Sequence, residues 1–130
     1  MTKGKQLGSR TNFHFKSNGH DVVLYSHWGG DSKLVDLAYA IAKAKPRWED
    51  NNYAIRIAVS QLIGSQWDSE TGYGLSVDIG GEESYDTTTV DFENQVVIHN
   101  GSPVPFENFL SYHIYNFEAA GLAARGVPGK

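Results

Sequence analysis

Two hydrophobic periods alternate along the chain and mark out its elements. Phe13 and Phe15 are separated by His14, the two-residue period of a strand with one apolar face. Asn18-Gly19 follows, a pair suited to a type I′ turn because both central residues of that turn need positive φ. Residues 22–25 give the return strand, so the chain opens with a β-hairpin. At Leu34, Leu37, Ala38 and Ile41 the spacing changes to three and four, which predicts an amphipathic helix. Asp31-Ser32 offers its N-cap, Lys43 and Lys45 complement the dipole in its last turn, and Pro46 ends it.

A second helix is marked by Ile55, Ala58, Val59, Leu62 and Ile63, with Asp50, Asn51 or Asn52 as cap and Gly64 as the residue past its end. The short link predicts that the two helices pack as neighbours. After the turn-rich run SQWDSETGYG, Leu75, Val77 and Ile79 alternate with Ser76 and Asp78 as a half-buried strand. Thr88, Val90 and Phe92 alternate likewise, and residues 96–99 complete a second hairpin. Asn100-Gly101 is another tight turn. SPVPF reads as extended or irregular, because Pro103 and Pro105 have no N–H to donate. Phe106, Phe109, Leu110, His113 and Phe117 recur at helical spacing.

The order is ββααβββα. The expected architecture is one α+β domain over residues 12–118: an antiparallel sheet, two central helices packed on one face, and a C-terminal helix. Residues 1–11 read as a flexible arm and 119–130 as a flexible tail.

With 130 residues, 40% hydrophobic and 20% charged, the chain can bury a core. A net charge of −4 argues against non-specific nucleic-acid binding, which needs a basic surface to displace counterions. The absence of cysteine excludes disulfides, thiolate zinc sites and cysteine nucleophiles. No apolar segment follows the basic N-terminus as in a signal peptide, and no run approaches the roughly 18 apolar residues that span a bilayer. A soluble protein without membrane contact is expected.

The five histidines form no HExxH or HxxxH pattern, and the glycine runs lack the spacing of phosphate loops. No metal, cofactor or catalytic residue is assigned. The carboxylates at Asp68, Glu70, Asp78, Glu82, Glu83, Asp86 and Asp91 read as solvated loop and strand-face residues.

One segment stands out, SHWGGD, between the first hairpin and the first helix. Gly29-Gly30 lets the chain turn and Asp31 caps. His27 and Trp28 are adjacent on a strand and so point to opposite faces. As a site, the amides at the helix start would hold an anion, with His27 as donor and Trp28 as stacking platform. Arg56, among apolar neighbours on the second helix, must reach an acceptor or the helix edge. The candidate ligand-binding set is Tyr25, His27, Trp28, Gly29, Gly30, Asp31, Arg56 and Tyr73. Tyr25, Trp48, Tyr53, Trp67, Tyr73 and Tyr85 lie in or beside loops, and any subset exposed together would suit a protein partner or a stacked base.

LYSHWGG (24–30), NYAIRIAVSQLIG (52–64) and ETGYGLSV (70–77) give the chain a resemblance to a family of small bacteriophage and prophage proteins. Those carry a leucine-tyrosine-x-histidine-tryptophan segment after a first hairpin, then a tyrosine-x-x-arginine-isoleucine helix. The match covers roughly residues 22–109 and rests on Tyr25, His27, Trp28, Gly29, Tyr53, Arg56, Gly72 and Gly74. It implies no reaction. It implies a phage origin, a small accessory role and the cytoplasm of an infected cell.

The function expected is therefore non-enzymatic: binding of an anionic small molecule or a host protein, as in counter-defence by sequestering a nucleotide signal or blocking a defence component. The rival readings are a small hydrolase using His27 with Asp31 or Asp78, and a structural homo-oligomer joined through strand edges.

Overall fold

The structure is a computed structural model and describes residues 10–27, 32–79 and 86–119. Strands β1 (Thr11–Ser17) and β2 (His20–Ser26) form the opening hairpin. Asn18 and Gly19 turn it with φ of 53° and 85°, the positive pair a type I′ turn requires. Helix α1 (Lys33–Lys43) follows, then a single 3₁₀ turn at Lys45–Arg47 around Pro46, then α2 (Asn51–Ile63). Strands β3 (Tyr73–Val77), β4 (Asp86–Asp91), β5 (Val96–His99) and β6 (Ser102–Pro105) precede α3 (Phe106–Ala119). The class is α+β, as the periodicity predicts.

The six strands form one sheet in the order β3-β2-β1-β4-β5-β6. Within each half the pairing is antiparallel: tight turns join β1 to β2, β4 to β5 and β5 to β6, and β3 comes to β2 after both helices. At the seam, β1 and β4 run parallel. Parallel neighbours need a long crossover, and the segment carrying both helices and β3 supplies it. The sheet is thus mixed where hairpin reasoning alone gives an antiparallel one.

The SPVP part of SPVPF forms a strand at the edge of the sheet, and Phe106 begins α3. Proline is compatible with an edge strand when its missing N–H faces away from the neighbour, and that is where Pro103 and Pro105 stand.

Phe13, Phe15, Leu24, Val90 and Val97 project from one face of the sheet into a core shared with Leu37, Ile41, Ala58, Val59, Phe106 and Leu110 of the helices. Trp48 closes one end. Its indole N–H donates to the Ile41 carbonyl at 2.9 Å and its ring lies 4.9 Å from Phe106, which meets Phe92 edge-on at 5.4 Å. Each large side chain buried here contributes about 1.5–3 kcal/mol by leaving water. Val23 is also buried, but on the opposite face of the sheet and outside this cluster, in line with Asn12 and His14.

Candidate functional site

The sequence-derived site residues fall in three places. Trp28, Gly29, Gly30 and Asp31 lie outside the described residues. Ser32, the other cap candidate, occupies the N-cap position of α1 without capping it, and its hydroxyl donates to Asp36 Oδ2 at 2.8 Å.

Tyr25 and His27 stand together on the face of β2 turned away from the helices. The Tyr25 hydroxyl and His27 Nδ1 share a hydrogen bond of 2.8 Å, the i, i+2 contact that a strand permits. The His27 amide donates to the Gly72 carbonyl at 2.8 Å, which pins the end of β2 to the start of β3.

Tyr73 pairs with Ser26 and so projects to the helix face, on the other side of the sheet from Tyr25 and His27. Burial pushes its phenol pKa up, and the negative charge of Asp36 pushes the same way against a hydrogen bond with Ser26. Tyr73 therefore keeps its proton.

Arg56 is elsewhere. It is exposed on α2 and lines a groove of about 260 Å³ with Val22, Ile55, Val59, Trp67 and Leu75. Val22 and His27 are five strand positions apart, about 16 Å. Among the described residues, His27 does not line this groove with Arg56.

Asp78, a possible partner of His27 in hydrolysis, is paired with Asp21 across the ladder, six positions from His27 or about 20 Å. It binds His20 instead, at 3.1 Å, and accepts the Asp21 amide at 2.9 Å. That amide, and then His20, hold its carboxyl below the usual range. A second pair, His14 Nδ1 and Asp21 Oδ2 at 2.8 Å, lies across the hairpin on the face opposite the helices. Among the described residues, no group of three or more histidines and carboxylates is placed to hold a metal ion. No described helix is long and apolar enough to cross a membrane.

No family model, curated protein or solved structure matches the chain.

The site must then be judged on its own chemistry, and Arg56 has the most to offer. A second groove, about 330 Å³, runs along its other side, lined by Lys43, Ile57, Ser60, Gln61 and Trp67. Trp67, 50% exposed, borders both grooves with Arg56. Neighbouring cations are occupied: Arg47 reaches Asp50 at 3.8 Å and lies over the Tyr53 ring, and Lys45 reaches Glu107 at 3.8 Å and lies over Trp48. Arg56 makes no ion pair among the described residues.

Sequence reading singles out Arg56 and joins it to the end of β2, whereas its groove neighbours among the described residues include Trp67 and Leu75. Trp67 and Leu75 come from a later loop and strand, and only the sheet order brings them to α2. The available signal was an arginine among apolar neighbours on a helix, with a loop tryptophan soon after Gly64.

Proposed function

We propose that the protein acts by binding an anionic partner at the surface around Arg56 and Trp67, and not by turnover. The observation that carries this reading is an exposed guanidinium without an ion pair among the described residues, set between two grooves and flanked by an exposed indole. A guanidinium binds carboxylate or phosphate through a planar fork, and an indole beside it adds a stacking or apolar surface. Grooves of this size suit a small ligand or a few side chains of a larger one. The resemblance to phage proteins supports the setting: an accessory protein in an infected cell, whose partner is a nucleotide signal it sequesters or a host defence protein it blocks.

The test is a thermal-shift series with nucleoside phosphates, cyclic dinucleotides and acidic peptides, run on the wild-type protein and on Arg56→Glu. A ligand at a hundredfold excess over its Kd adds about 2.7 kcal/mol of stability, several degrees in Tm. At least one anionic class is expected to produce that rise, and Arg56→Glu to diminish it while leaving the ligand-free Tm unchanged. The reading fails if no anion stabilises the protein or if the rise is undiminished in Arg56→Glu.

A further inference from the structure

The two edges of the sheet differ in what their backbones offer. Along an antiparallel ladder, residues alternate between turning N–H and C=O toward the neighbouring strand and away from it. At one edge, the Phe106 amide donates to the Gln95 carbonyl at 2.8 Å. Val104 and Ser102 therefore face β5, and the outward positions of β6 are Pro103 and Pro105. Neither proline has an N–H, so this edge is sealed against another strand.

At the other edge, His27 N donates to Gly72 O and Asp78 N to Asp21 O, both at 2.8 Å. With Gly74 opposite Tyr25 and Ser76 opposite Val23, the even-numbered residues of β3 face β2. Tyr73, Leu75 and Val77 are left facing outward. The Val77 carbonyl is taken by the Ile79 amide at 2.8 Å. The three outward N–H groups and the carbonyls of Tyr73 and Leu75 meet no strand among the described residues. The segment YGLSV holds no proline and no charge, the usual guards of an edge. Leu75 and Val77 are 52% and 65% exposed, and their side chains project to the helix face, where Leu75 lines the groove with Arg56 and Trp67.

We propose that the β3 edge receives an extended peptide segment of another protein as an added strand, with a carboxylate over Arg56 and apolar side chains in the groove beside Leu75. This rests on the reading of Arg56 as the contact for an anionic partner. In strand addition the backbone supplies affinity, and side chains two residues apart supply selection. The arrangement of β3 fits both halves: open N–H and C=O groups in line, and a groove with one cation under the side chains that alternate toward it. The occupant is not a second copy of this chain. Residues 73–77 carry no carboxylate, and a twofold pairing about Leu75 brings another arginine to the groove instead of an anion.

The experiment uses a short synthetic peptide alternating valine and threonine, with one valine replaced by glutamate, added to the isotope-labelled full chain. Binding is expected, with the Leu75 amide newly protected from hydrogen exchange and strand-to-strand proton contacts between peptide and β3. N-methylation of alternate peptide amides should remove binding. Leu75→Pro, which deletes an N–H that faces outward, should weaken it by about tenfold or more. Arg56→Glu should weaken the glutamate peptide by up to about fivefold, and a lysine in place of the glutamate should restore it. The inference is overturned if no peptide binds, if the N-methylated peptide binds equally well, or if light scattering shows the free chain dimeric through this edge. Should nucleotides alone bind through Arg56, the strand-addition inference falls while the anion-binding reading stands.

Discussion

His113 is the residue whose surroundings make the clearest statement about pH. Burial lowers its pKa below the ordinary value, and the nearby His99 lowers it further. His99 itself meets Thr88 at 3.1 Å, and the rings of Phe109 and Tyr112 lie 4.5 and 4.9 Å from His113. The fold therefore holds His113 neutral, while the unfolded chain takes up a proton near pH 6.5. Stability from this group is complete above that value and is lost as pH falls below it toward the lowered folded pKa. Urea midpoints measured between pH 7.5 and 5 should fall for the wild type and fall less for His113→Gln. Equal slopes would show that another group drives the loss. Arg56 belongs to the same scale: one exposed cation, identified from sequence because an arginine among apolar helix positions must end somewhere polar. Its neighbours were not legible, since no local pattern relates α2 to Trp67 or to Leu75.

At the scale of elements, the helices and hairpins were legible because their signals are local. Leu34, Leu37, Ala38 and Ile41 describe α1, and Asn18-Gly19 describes the first turn. The parallel seam between β1 and β4 was not, because a long crossover leaves no mark at either strand. Nor was β6, where proline argues against a strand until the edge position is known. Helix α1 packs against both α2 and α3, and its Leu37 and Ile41 are fully buried. Leu37→Ala removes the side chain and leaves a cavity, at a cost of about 2–5 kcal/mol in urea unfolding. A cost under about 1 kcal/mol would mean that this interface is loosely packed.

Across the whole molecule, the sheet divides its labour between two faces and two edges. One face carries the helices and the core. The other carries Tyr25, His27 and the His14–Asp21 pair. One edge is closed by prolines, and the other, beside Arg56, meets no strand among the described residues. Tyr25 and His27, at the end of β2, thus stand on the opposite face of the sheet from the groove that Arg56, Trp67 and Leu75 line. Chemical-shift mapping by NMR separates them directly, with the isotope-labelled chain titrated by an acidic ligand that raises its Tm. The account predicts that the largest shifts fall on Arg56, Trp67 and Leu75, with Tyr25 and His27 little changed. Shifts concentrated on Tyr25 and His27, with Arg56 and Trp67 unmoved, would contradict it.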